Sequence, residues 1–163
     1  MFVNIWGKNI WYDIYGAEHS DTLLYLHGGP GASCLDFVNQ AKALSGKMRV
    51  VIFDQLGVLR SDAIAESESY SMEYQIEMVE EMRKILGIEK WSVLGHSYGG
   101  MLAVLYASAC PDSVHKIILE CPSLWFEDSA RSTAEYLSEH IHSLNDGEAV
   151  KLWEKVRFAD YQD

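Results

Sequence analysis

The chain has 163 residues, 48% of them hydrophobic and 12% aromatic, with a formal net charge of −11 and a pI near 4.9. That is enough apolar material for one packed domain and argues against disorder, while the negative field disfavours nucleic acid and anionic membrane as partners. Cys34, Cys110 and Cys121 are odd in number and far apart, with no CxxC spacing. This points to reduced thiols in a cytoplasmic protein, not to a disulfide framework or a zinc site.

Two β-rich runs open the chain, Phe2–Trp6 and Asn9–Tyr15, split by Gly7-Lys8 as by a hairpin turn. No basic region followed by an apolar run precedes them, so no signal peptide is expected, and no window holds the ~18 apolar residues of a membrane span. Thr22–Leu26 reads as a third strand running into "HGGPG". Cys34–Leu44 predicts a helix with Leu35, Val38 and Ala41 on one face and Gly46 as its stop. Val50–Phe53 is a short apolar strand, followed by a long polar loop, Asp54–Tyr70.

Ser71 can cap the next helix, in which Met72, Ile76, Val79, Met82 and Leu86 keep helical spacing up to Gly87. Trp91–Leu94 predicts a strand, Tyr98–Ala109 a helix closed by Pro111, and Val114–Leu119 a further apolar strand. Strands alternating with helices in this way imply an α/β fold with a mostly parallel sheet covered on both faces. After Pro122 two amphipathic helices follow without an intervening strand. One carries Ala130, Ala134, Leu137, Ile141 and Leu144; the other runs from Glu148 to about Phe158 with Leu152, Trp153 and Val156. Residues 125–163 thus read as the start of a separate helical layer on a core of residues 1–124.

Two motifs could carry chemistry. "GHSYGG", Gly95–Gly100, lies between a strand and a small-residue helix, the context of a nucleophile elbow. A sharp strand-to-helix turn would expose the Ser97 hydroxyl, with Gly95 and Gly99 relieving the crowding and the Tyr98 N–H aimed at a developing oxyanion. In "HGGPG", His27–Gly31, adjacent glycines free the backbone to approach a ligand, and Gly29 is the candidate for a second oxyanion donor. Such a donor is typically worth ~3–4 kcal/mol of transition-state stabilisation. No Gly-Lys-Ser/Thr follows, so a phosphate loop is disfavoured.

Together with "DQLGVLRSD" at 54–62, these motifs make the chain resemble the prolyl aminopeptidase (proline iminopeptidase) branch of the α/β-hydrolases over about residues 1–125. The resemblance implies a serine peptidase that uses no cofactor and releases an N-terminal residue, commonly proline, from peptides with a free N-terminus. It matches Ser97 to the nucleophile and Gly29 and Tyr98 to the oxyanion donors. His27, Gly28, Pro30, Gly31, Asp54, Gln55, Gly57, Gly95, His96, Gly99 and Gly100 fall on motif-supporting positions.

The sequence departs from that pattern twice. Leu59 stands where the family shows a second glycine; a left-handed leucine there costs about 1–2 kcal/mol, so a rearranged or degraded loop is the expectation. The family's acid and histidine lie on strands after the cap, and neither segment is found here. None of His19, His27, His96 or His115 is placed like a triad base. His140 and His142, two residues apart on the cap helix, face different ways, which argues against a metal pair and for solvated side chains. Glu127, Asp128, Glu135 and Glu139 read as a solvated helix face.

Two readings stay open. One is a prolyl aminopeptidase-type enzyme through a Ser97 acyl-enzyme, with an esterase or lactonase of the same fold beside it. The other is an inactive fragment kept as an interaction module. In either case the sheet is expected to stop at an exposed apolar edge, Val114–Leu119, that invites self-association or a complementary chain.

Overall fold

A computed structural model describes residues 1–18, 21–144 and 146–157. The opening hairpin pairs β1 (Phe2–Ile5) with β2 (Lys8–Tyr15). Its turn is Trp6-Gly7, not Gly7-Lys8. Both residues take positive φ, 50° and 87°, the backbone that matches the twist of two-residue hairpins. β3 (Thr22–Leu26), β4 (Arg49–Phe53), β5 (Trp91–His96) and β6 (Val114–Glu120) complete a six-stranded sheet in the order β1-β2-β4-β3-β5-β6. β2 joins β4 antiparallel; β4, β3, β5 and β6 are mutually parallel.

The packing of β3 explains why its sequence carries no apolar/polar alternation after Thr22. Leu24 and Leu26 enter one core cluster, with Val51, Met82, Trp91, Val93 and Tyr106, while Leu23 and Tyr25 enter another, with Phe37, Ala41 and Ile52. The first cluster is roofed by α2 (Met72–Ile85) and α3 (Tyr98–Ala109), the second by α1 (Val38–Leu44). A strand covered on both faces has no polar side to show.

Two helices and one strand differ from expectation. Residues Cys34–Phe37 form a 3₁₀ turn ahead of α1, capped by the Ser33 hydroxyl, which accepts from the Leu35 N–H. With three residues per turn, Cys34 and Phe37 share the inner face and Leu35 is left 53% exposed. Phe37 then stacks on Tyr25 at 4.1 Å. On α2 the fully buried positions are Gln75, Met78, Val79 and Met82, and the expected Met72, Ile76 and Leu86 pack partly buried beside them. Gln75 is tolerated inside because its carbonyl accepts from the Tyr98 hydroxyl at 3.0 Å. β5 runs two residues past Leu94, to His96.

Met1–Leu124 forms one compact unit and the chain from Trp125 another. The second holds α4 (Phe126–His140), a 3₁₀ turn over Ile141–Leu144, and α5 (Gly147–Arg157). The expected end of α5 near Phe158 lies outside the described residues. Among the described residues no helix is long and apolar enough to cross a membrane.

Candidate active site

Ser97 sits between β5 and α3 with φ 51° and ψ −115°, a backbone that non-glycine residues rarely adopt. Three hydrogen bonds hold it there. The Ser97 N–H donates to the Glu120 carbonyl at 3.0 Å, and the Ser97 carbonyl accepts from Gly100 and Ser123 N–H groups at 2.9 and 3.1 Å. The glycines around it are required by space. A Cβ at Gly95 would lie 2.2 Å from the Gly99 carbonyl oxygen, one at Gly99 2.1 Å from that of Leu26, and one at Gly100 2.8 Å from Pro122 Cβ. The start of α3 is therefore pressed directly onto β3 and β5. Tyr98 supplies the first N–H of α3, a group with no acceptor inside its own helix.

The HGGPG loop meets this elbow. A Cβ on Gly28 would fall 3.3 Å from Ser97 Cβ and 2.9 Å from His96 Cδ2, so Gly28 is the point of close approach. Gly29 has φ 130° and Gly31 φ 94°, both in the range that favours glycine. Gly29, Pro30 and Gly31 are exposed.

His27 belongs to the support of that loop. It is fully buried; its Nδ1–H donates to the Gly28 carbonyl at 2.8 Å and its Nε2 accepts from the Gln55 N–H at 3.0 Å. Those two partners select one neutral tautomer, and burial pushes its pKa below the usual histidine value. The Gln55 amide also donates to the His27 carbonyl at 3.1 Å.

The DQLGVLRSD loop thereby grips the HGGPG loop, and a buried carboxylate anchors it in turn. Asp54 accepts from Arg60 Nε at 2.6 Å, the Ser33 hydroxyl at 2.7 Å and the Cys34 N–H at 3.2 Å. Burial alone would raise the Asp54 carboxyl, but these hydrogen bonds outweigh it and hold it below the usual carboxylate value. The Arg60 guanidinium carbon lies 3.2 Å over the Trp11 ring centroid. Gly57 takes φ 82°, and Leu59, 67% exposed, does take a left-handed φ of 40°. The loop is nonetheless intact, closed by Gly57 N–H to the Asp62 carbonyl and Ser61 N–H to the Val58 carbonyl. Asp54, Arg60 and Ser61 hold the loop from outside the leucine.

The sequence reading missed Arg60, Ser33 and Cys34 as partners of the Asp54 carboxylate, and Trp11 as the ring beneath Arg60. The one available signal was an arginine inside the motif. It also missed Glu120, whose carboxylate lies 3.3 Å from His96 Nδ1 without hydrogen-bond geometry.

Among the described residues of Met1–Leu124, no imidazole hydrogen-bonds to the Ser97 hydroxyl. His27 is enclosed, His115 is exposed on β6, and His19 lies outside the described residues. In the second unit, His140 Nδ1–H donates to the Tyr136 carbonyl and its ring stacks on Tyr136 at 4.2 Å, while His142 is exposed. Glu127, Asp128, Glu135 and Glu139 are exposed as expected, Asp128 paired with Arg131 at 2.7 Å. A cavity of about 430 Å³ opens at the amino ends of the parallel strands, lined by Thr22, Arg49, Trp91 and His115. That is the opposite end from Ser97.

A family model for the alpha/beta hydrolase fold matches residues 21–148. The chain belongs to the α/β-hydrolase fold family. It is 39% identical over 108 residues to a proline iminopeptidase of Saccharolobus solfataricus, covering 65% of this chain and 35% of that one. With a proline iminopeptidase of Heyndrickxia coagulans it shares 29% identity over 163 residues, covering 97% and 56%. These relatives set it in the prolyl aminopeptidase branch that its three motifs imply. The chain spans between about a third and just over half of their length. Among solved structures it resembles a marine microorganism esterase, with a TM-score of 0.61 and 30% identity, covering 68% of this chain and 40% of that one.

Proposed function

We propose that the chain carries the nucleophile half of a serine hydrolase of the prolyl aminopeptidase type. The observation behind this reading is the strained Ser97 backbone at the β5–α3 elbow, beside the glycine loop after β3. In this reading Ser97 Oγ attacks the carbonyl of an N-terminal residue, proline preferred. The Gly29 and Tyr98 N–H groups receive the oxyanion, and a Ser97 acyl-enzyme forms as the amine leaves. The attack needs a base to take the hydroxyl proton and the amine needs an acid to return it. Within Met1–Leu124 no described residue stands in either place, so on that unit alone the acylation is crippled.

The test is labelling of the purified chain with a fluorophosphonate, read by intact mass and peptide mapping. Labelling is expected at Ser97, absent in Ser97→Ala, and at least ~10³-fold slower than in a complete proline iminopeptidase, the order of loss when a triad member is removed. Labelling elsewhere, or equally in Ser97→Ala, overturns the nucleophile; a full rate overturns the missing base. The likeness to an esterase favours a second reading in which the leaving group is an alcohol. Comparing an L-prolyl arylamide with a small acyl ester separates the two.

A further inference from the structure

The glycine loop that reaches Ser97 is held at both ends by two adjacent residues, Asp54 and Gln55. At its entry, the Gln55 N–H donates to His27 Nε2 at 3.0 Å and the Gln55 side-chain amide donates to the His27 carbonyl at 3.1 Å. His27 passes the hold on, since its Nδ1–H donates to the Gly28 carbonyl at 2.8 Å. At its exit, Asp54 Oδ1 accepts from the Ser33 hydroxyl at 2.7 Å, the Cys34 N–H at 3.2 Å and the Cys34 thiol at 3.3 Å. Asp54 Oδ2 accepts from Arg60, so the two carboxylate oxygens are divided between the loop exit and the counter-ion.

The dipeptide is itself fixed. The Asp54 N–H donates to the Trp11 carbonyl at 3.0 Å, and the Asp54 carbonyl accepts from the Ser61 hydroxyl at 2.6 Å. Asp54, Gln55, His27 and Cys34 are all buried. Stability is a poor account of such a carboxylate, because a buried ion pair is often no more stabilising than apolar side chains of the same volume. An apolar side chain could not accept from Ser33 and Cys34. Gly29 lies between the two anchors, two residues after His27 and four before Ser33. A donor aimed at developing charge acts only where it is held in place, and a misplacement of about 1 Å can cost about 10²-fold in rate.

We infer that Asp54 and Gln55 are positioning residues for the oxyanion site: Gln55 sets the entry of the glycine loop, the Asp54 carboxylate sets its exit, and together they hold the Gly29 N–H toward Ser97. This role rests on the reading of Ser97 as nucleophile and Gly29 as oxyanion donor.

The test is phosphorus NMR of the chain labelled to completion with excess fluorophosphonate, beside the labelling rate read by intact mass. The phosphoryl oxygen of the Ser97 adduct sits where the oxyanion would, so its resonance should differ between the native adduct and the same adduct unfolded in urea. Ser33→Ala removes one exit bond and leaves the Asp54–Arg60 pair standing. Gln55→Met removes the entry amide at similar volume. Each should label about tenfold more slowly and move the native resonance toward the unfolded position. Ser33→Thr, which keeps the hydroxyl, should keep both. Glu80→Gln weakens the same unit away from the loop and should leave the resonance in place. If Gln55→Met does not fold, the two Ser33 variants decide alone. Ser33→Ala at the wild-type rate with an unmoved resonance overturns the clamp and leaves the nucleophile standing. Ser33→Thr as slow as Ser33→Ala, or an equal shift in Glu80→Gln, does the same. A wild-type adduct with one resonance in both states overturns the oxyanion site and the clamp with it; no adduct at Ser97 overturns the nucleophile as well.

Discussion

Gly99→Ala tests the packing that creates the elbow. The added methyl would stand 2.1 Å from the Leu26 carbonyl oxygen, 2.6 Å from its carbon and 2.7 Å from the His27 carbonyl oxygen. All three obstacles are backbone, and Leu26 ends a strand paired on both sides. No rotamer change relieves such a contact, so the first turn of α3 must lift by about an ångström. Leu102, Ala103 and Tyr106, buried on the same helix, are disturbed with it.

Two terms oppose each other. Alanine in place of glycine favours a helix by up to about 1 kcal/mol. Overpacking a close-packed core costs about 1–3 kcal/mol, and an immovable backbone obstacle puts this site at the top of that range. The net expectation is a loss of about 2 kcal/mol, or roughly 8 °C in Tm for a unit of this size. Urea and thermal unfolding followed by tryptophan fluorescence measure it, since Trp91 is buried in the affected cluster. Gly46→Ala is the control: no atom lies within 4 Å of a Cβ there, and it should move stability by less than about 0.5 kcal/mol. If Gly99→Ala unfolds at the same midpoint as Gly46→Ala, the steric account of the elbow is wrong.

Acid stability should depend on Glu80. Arg83 is the main cause that holds its carboxyl at about 2; burial opposes this, and the Tyr106 hydroxyl adds a hydrogen bond at 2.7 Å. A depressed carboxylate contributes stability that is present above its unfolded value near 4.5 and is lost as the pH falls toward 2. Glu80→Gln should therefore flatten the fall of the urea midpoint between those values; an unchanged slope would assign the acid sensitivity elsewhere. At Leu59, a left-handed leucine costs about 1–2 kcal/mol, against roughly 0.5–1 kcal/mol for the unfolded-state freedom of a glycine. Leu59→Gly should gain about 0.5 kcal/mol in equilibrium unfolding, and a loss beyond 1 kcal/mol would mean the partly covered side chain holds the loop.

The elements that were legible in the sequence are those whose local pattern agrees with their packing. β3 is apolar from Leu23 to Leu26 apart from the Tyr25 hydroxyl and is buried on every position. Ser71 precedes a helical stripe and its hydroxyl caps α2 by accepting from the Tyr74 N–H at 3.2 Å. Cys34–Leu44 misled because a 3₁₀ turn and an α-helix share one run of residues, and the change of period moves Leu35 out of the core. Gln75 was not legible as a core residue, since its burial depends on a tyrosine hydroxyl from another helix. The same holds for Asp54: its partners come from Arg60 six residues on and from Ser33 and Cys34 some twenty residues back.

The site divides along the same line. A strand-to-helix elbow and a glycine loop are backbone devices, made by short contiguous segments whose glycines state the required conformation: Gly95, Gly99 and Gly100 for close packing, Gly29 for its φ of 130°. Such parts can be read from a few letters in a row. A general base is a side chain that must arrive at one hydroxyl from elsewhere in the fold, and no spacing rule announces it. Each histidine could be weighed from sequence only by asking what else would hold it. For His27 the structure answers with Gly28 and Gln55, and for His140 with Tyr136. An imidazole whose nitrogens are committed to a carbonyl and an amide N–H, inside a core that keeps it neutral, cannot also shuttle the proton of Ser97. His27 is therefore a support of the glycine loop's shape.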